Sequence, residues 1–302
     1  MTEQIKTTRQ RFFLFGLWIL ACVAVFWAPA RGLLHYAMGN DNASHIVLIP
    51  VIVAWLIYLE QKQIFQTTNF DYAPGAVLTA VGIFAALFTM RAGAGWSPTD
   101  RLTGYTLALV TLLIAGFTTI FGRRAASNGR FSLLFLFLMV PLPDAMLDYF
   151  IYWLQKGSAD IAEMIFDLAG VPALRDGFVF HLAHLSIEVA KECSGIRSSI
   201  ALLILALLVG HLFLRTFWKQ ALFVTLGLVI MIVKNGIRIA TLTILAQYVD
   251  SSFLFGRLHR EGGIVFFVIG LLLLLPVFWL LQRGETPATA SAGSGNGAAA
   301  AV

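Results

Sequence analysis

An all-α polytopic membrane protein with about eight transmembrane helices is the fold class this sequence predicts, and three observations predict it. Of the 302 residues, 59% are hydrophobic and only 12% are charged, with a mean hydropathy of +0.82. A soluble domain of this length has no interior large enough to hide so much apolar side chain. The apolar residues come in runs close to the roughly 20 needed to cross about 30 Å of hydrocarbon, separated by short basic or turn-rich stretches. The net charge of +5 fits loops facing anionic lipid better than a nucleic-acid-binding stripe, so no nucleic-acid partner is expected. Two cysteines cannot build a disulfide framework. Cys22 sits in an apolar run as a small hydrophobe, which leaves Cys193 alone in polar company.

Along the chain, Lys6, Arg9 and Arg11 precede an apolar run over 12–30. It is longer than a signal-peptide core, and "FWAPARG" lacks a small-residue cleavage pattern, so it is read as a retained first span. Shorter runs follow at 45–59 and 75–90, then a clear span at 102–121. The run over 131–153 is interrupted by "PLPD", Pro141 to Asp144. Each of these prolines removes an amide donor and crowds the preceding turn. A break at membrane depth needs protein or a cavity around it, so this one is expected to end a span at the interface or line a site.

From Asp144 to Gly170 the pattern becomes an extracytoplasmic amphipathic helix. Leu147, Phe150, Ile151 and Leu154 mark one face, with Lys156, Asp160, Glu163 and Asp167 among the polar positions. "RDG" signals a turn, and partial alternation through "HLSIEVAKE" predicts a short β-hairpin outside the bilayer. Spans at 196–214, 218–234 and 264–282 complete the count. The tail over 284–302 is low in complexity and expected to be disordered. The chain thus divides into N-terminal spans (1–130), a membrane core (131–283) and the tail.

With eight spans, one set of segments holds the N-terminus, Lys62, Arg123, Arg124, Arg130, Arg215, Lys219 and Arg283. These basic residues cluster in short segments, which places both termini in the cytoplasm. "KECSGIRSS", Lys191 to Ser199, then lies at the extracytoplasmic start of the 196–214 span. The chain turns at "RTFWKQ" and returns outward at "VKNGIRIA", with Lys234, Asn235 and Arg238. His259 in "GRLHREGG" precedes the last span on the same side.

A cysteine, an arginine and a histidine on one membrane face suit acyl transfer. A thiol attacks only as thiolate, and an ordinary cysteine is mostly protonated at neutral pH. Cys193 immediately precedes a helix whose unpaired amides favour negative charge. Arg197 shares its face if that helix begins at Cys193. His259 is placed to take the proton and return it to a leaving amine. Arg238, which keeps its charge, is placed to stabilise a tetrahedral oxyanion. Ser194 and Gly195 shape a tight turn that brings backbone amides close.

Each of these residues also has an ordinary structural reading. Cys193 is then a packed thiol, Lys234 and Arg238 are interfacial anchors, and His259 is a loop histidine. His181 and His184 would offer metal ligands alongside Cys193. In a strand, however, their spacing sends them to opposite faces, so neither a metal nor a cofactor is called for. His35 and His45 read as interfacial, with His45 on the outer side, within reach of a substrate.

At "ECSGIRSS" (Glu192 to Ser199), "NGIRI" (Asn235 to Ile239) and "LHREGG" (Leu258 to Gly263) the sequence resembles the exosortase/archaeosortase family. "VPLPD", "LQKGSADIAEMIFDLAGVP" and the hairpin follow that family's order, over about 131–281. The resemblance implies a cysteine transpeptidase with Cys193, Arg238 and His259 as catalytic residues and Ser194, Gly195, Arg197 and Asn235 in support. Its implied partners are exported proteins ending in a Pro-Glu-Pro motif, a membrane helix and a basic cluster. Cleavage through a thioacyl intermediate would be followed by transfer to an amine or other acceptor at the outer face of the cell inner membrane. Lys191-Glu192 depart from the small residues common before the cysteine, and Glu192 opposes thiolate formation. Two other classes fit the same composition: a transporter or channel with an Arg238- and Lys234-lined anion path, and a non-catalytic scaffold for envelope polysaccharide assembly.

Overall fold

The structure, a computed structural model, describes residues 2–189, 196–254 and 263–283. Among these, six helical segments are long and apolar enough to cross a membrane. Two bent helix pairs raise the number to eight if each pair is one span. The chain is an all-α polytopic membrane protein with one small sheet among the described residues, and it divides into two compact units, residues 1–150 and 151–302.

In the first unit, α1 (Thr2–Val25) and α2 (Trp27–Gly39) replace the single span expected over 12–30, and the chain bends by 82° between them. Pro29 accounts for the break. Its ring crowds the carbonyl four residues back, that of Val25, yet the first turn of α2 tolerates it because the amide it lacks would be unpaired there. A 3₁₀ turn (Asp41–Val47) leads into α3 (Ile49–Leu59), and the short α4 (Gln61–Ile64) follows. The run expected over 75–90 is longer in the structure, forming α5 (Tyr72–Ala92). It packs along α6 (Pro98–Phe121), and their approach is close: a Cβ on Gly82 would stand 2.7 Å from Leu112 Cγ. Close contact of small residues is how membrane helices gain packing energy when lipid is as apolar as their side chains. Trp18 of α1 donates its indole N–H to the Leu112 carbonyl at 2.8 Å. Phe117 and Phe121 gather Phe15 and Phe65 into an aromatic cluster.

After α7 (Arg123–Asn128) and α8 (Arg130–Phe135), a 3₁₀ turn (Leu136–Met139) runs into the two prolines. The chain bends by 95° before α9 (Asp144–Leu168), so "PLPD" does end one helix and start another. Pro143 brings no side-chain acceptor to the start of α9, and the acceptor comes from α6 instead. Asp100 Oδ1 accepts the Asp144 backbone N–H at 2.9 Å, and Thr103 Oγ1 donates to the Pro141 carbonyl at 2.9 Å. A carboxylate on an orphan N-terminal amide is favoured by both hydrogen bonding and the helix dipole. Asp100→Ala should therefore destabilise the protein by about 1–2 kcal/mol in detergent-solubilised unfolding, with Asp100→Asn recovering much of the loss.

Among its described residues the second unit holds residues 151–168 of α9, the sheet, and three further helices. β1 (Leu174–Asp176), β2 (Val179–His181) and β3 (Ser186–Glu188) form an antiparallel meander, one strand more than the expected hairpin. The turn at Asp176-Gly177 uses a glycine at φ +60°. The sheet packs Phe180 and Val189 against Ala159, Ala162 and Phe166 of α9, and Ile239 and Ala240 join the same core. α10 (Ile196–Phe213) and α11 (Phe217–Tyr248) form a tight helical hairpin, and α12 (Gly263–Arg283) packs against both. Lys219 donates to the Leu281 carbonyl at 3.0 Å, placing a cation at the C-terminal end of α12.

Candidate active site

The buried face of α9 differs from the apolar stripe the sequence suggests. Ile151, Gln155, Ser158, Ala159, Ala162 and Phe166 are buried, whereas Phe150 is exposed with Tyr149, Tyr152 and Trp153. An aromatic outer face suits a helix at the membrane–water boundary. The buried face carries two polar side chains, and both fasten neighbouring elements.

Ser158, fully buried, accepts a hydrogen bond from Asn235 Nδ2 of α11 at 3.0 Å. α9 and α11 come very close there. A Cβ on Gly236 would press on the Ile161 side chain and stand 3.0 Å from the Ser158 carbonyl. Glycine is thus required at 236 by the approach itself, and Asn235 is fixed as a strut between the helices.

Gln155, 6% exposed, donates to the Val189 carbonyl at 2.7 Å. Val189 N–H in turn donates to the Phe178 carbonyl at 2.9 Å, so the end of the sheet is pinned from two sides. Arg175 of β1 pins its outer edge, donating to Asp160 at 2.8 Å and Glu163 at 2.6 Å on α9. Burial works against the Arg175 charge, but the two carboxylates outweigh it and raise the guanidinium above its ordinary pKa. Replacing Gln155 by leucine leaves a buried carbonyl without its donor. That should cost about 1–3 kcal/mol and lower any activity that depends on the chain leaving Val189, as compared in thermal unfolding and processing assays.

Of the residues singled out in the sequence, Cys193, Ser194, Gly195 and His259 lie outside the described residues. Arg238, Asn235 and Arg197 are described. Arg197 is exposed on the first turn of α10, and Arg238 is half-buried on α11. One turn before Arg238, Lys234 donates to Ser198 Oγ on the first turn of α10. Ser198 is five residues after Cys193 in the sequence. Val189, pinned by Gln155, is four residues before it. Both flanks of the cysteine segment are thus fastened within the unit that carries Arg238.

After α11 the chain makes a 3₁₀ turn (Ser251–Leu254) toward the histidine segment. Asp250 opens it by accepting the Ser252 backbone N–H at 2.8 Å, which holds its carboxyl below the usual carboxylate range. His181 shares a 2.8 Å hydrogen bond with Ser186 across the β2–β3 pair, and His184 lies in the connection between those strands.

Gln155, Ser158 and Ser198 were not singled out by sequence reasoning. The signal for the first two was present: 155, 158, 159, 162 and 166 follow the i, i+3, i+4, i+7 recurrence of one helix face. It is masked because two of the positions are polar. Ser198 had no signal apart from its place after the cysteine.

A family model described as transmembrane exosortase covers residues 36–276 of the 302. No curated protein and no solved structure matches the chain.

Proposed function

The chain belongs to the transmembrane exosortase family, and from this we propose that it is a membrane-embedded cysteine transpeptidase with Cys193 as its nucleophile. Family membership carries a membrane role in sorting exported proteins. The finer reading rests on one structural observation. Within a single unit, Gln155 fastens the chain before Cys193, Lys234 fastens the helix after it, and Asn235 locks the Arg238-bearing helix onto α9. Catalytic side chains need such rigid support, because small misplacements cost large factors in rate.

In the proposed reaction the Cys193 thiolate attacks the scissile carbonyl of an exported protein at the outer face of the inner membrane. The carbonyl oxygen becomes an oxyanion, which the Arg238 guanidinium stabilises by charge and directed N–H groups. His259 gives its proton to the leaving amine, the C–N bond breaks, and a thioester to Cys193 remains. An acceptor amine then attacks the thioester. His259 takes the proton from that amine, and the C–S bond breaks to return the thiolate. Ser194 and Gly195 bring backbone amides to the cysteine, and Arg197 adds positive charge at the start of α10.

The substrate's C-terminal helix reaches this site by diffusing within the bilayer, which orients the scissile segment before chemistry begins. We take the substrate signal to be a Pro-Glu-Pro motif followed by an apolar helix and a basic cluster. The test is co-expression of the protein with an exported reporter carrying that C-terminal signal, following its processing by gel shift and mass spectrometry. Processing that requires Cys193 supports the reading, and normal processing by Cys193→Ala overturns it.

A further inference from the structure

Lys234 lies in a membrane-spanning helix and is 2% exposed. At 1.5 Å per residue the 32 residues of α11 reach about 48 Å, well beyond the roughly 30 Å of hydrocarbon. Lys234 stands about 25 Å from the Phe217 end, so it sits toward one edge of the bilayer. Its stem runs beside Gly270 of α12, where a Cβ would be 3.6 Å from Lys234 Cδ. Its ammonium has three donors, and among the described residues one acceptor, the neutral Ser198 hydroxyl, meets them. Arg238, one turn on, repels it. Among the described residues no carboxylate forms an ion pair with Lys234. A buried ammonium with one neutral partner among the described residues and a cationic neighbour is costly, and such a group inside a membrane marks a site for an anion.

We propose that Lys234 is the specificity residue of the transpeptidase: it binds an acidic side chain of the substrate beside the bond to be cut. This rests on the transpeptidase reading. The substrate signal proposed above brings one carboxylate, its glutamate, and that is the anion Lys234 is expected to meet. The oxyanion that forms during reaction is assigned to Arg238, so the negative charge already present in the bound substrate falls to Lys234. The two cations on one helix face then divide the work. Lys234 governs binding and Arg238 governs the chemical step. The Ser198 hydroxyl holds the ammonium in place beside the helix that follows Cys193.

The test is a double-mutant cycle on the full chain in native membranes. The probe is the reporter with Glu in its Pro-Glu-Pro signal, and a second reporter with that Glu changed to Gln. With the Glu reporter, Lys234→Met should raise KM about tenfold or more, and loss of the Ser198 contact should lower kcat to the same extent on both reporters. The Gln reporter should show the same rise in KM with the wild-type protein, a measurement that needs no altered enzyme. Combining the two changes should add less than about twofold, and Lys234→Arg should restore most of the binding.

A KM raised equally on both reporters would overturn the proposal by making Lys234 purely structural. So would a Glu192→Gln or Glu261→Gln variant that reproduces Lys234→Met on both reporters, which would make the partner a carboxylate of this chain. A KM that follows the anionic lipid content of vesicles, and not the reporter's acid, would assign the site to lipid phosphate and also overturn it. Cys193→Ala run in parallel separates the two readings, since an inactive cysteine variant beside an uncoupled Lys234 rejects the specificity role alone.

Discussion

Alanine at position 193 should leave the precursor uncut, with processing down by at least about 1,000-fold. Removing the nucleophile removes the covalent intermediate, and neither the arginine nor the histidine can supply an acyl acceptor of comparable reactivity. Serine at 193 should be nearly as poor, because a hydroxyl stays protonated where a thiol ionises. Both variants should insert and accumulate normally, since the supports on either side come from Gln155 and Lys234. A transport protein would behave in the opposite way, with activity surviving at 193 and failing at 238. A scaffold would tolerate both changes.

Arg238 carries the second large effect. Arg238→Ala should lower kcat by about 100- to 1,000-fold with little change in KM, because the charge it stabilises exists only in the transition state. Arg238→Lys should recover only part of this, since an ammonium keeps the charge but loses the planar pair of donors. Asn235→Ala should behave differently. It cuts the hydrogen bond to Ser158, so stability and kcat should fall together and the loss should deepen on warming. Thermal unfolding measured beside the kinetics separates a residue that touches the reaction from one that positions it.

The membrane class and most helix positions were legible because apolar runs report directly on lipid exposure. α6, α10 and α12 lie where their runs lie. The two ends of the first run were not legible, since Pro29 acts on the carbonyl of Val25 and so breaks the helix four residues upstream of itself. α11 extends to Tyr248, although hydropathy suggested an end near 234. Lys234, Asn235 and Arg238 lower the apolar signal without stopping the helix, and the first two are met by Ser198 and Ser158. The extra strand was hidden because three-residue strands are too short to show alternation. For the site, the residue types and order pointed to Cys193, Arg238 and His259. The supports around them depend on which polar side chains are buried, and a single sequence does not show that.

The most direct measurement is capture of the acyl-enzyme. Membranes containing the full chain and the Glu reporter are quenched during turnover and digested, and the Cys193 peptide is examined by mass spectrometry, with and without hydroxylamine. The expected result is a reporter fragment joined to Cys193 through a thioester that hydroxylamine releases as a hydroxamate, and no such species from Cys193→Ala. Reporter cleaved at the normal rate by Cys193→Ala, with no hydroxamate formed, would contradict it.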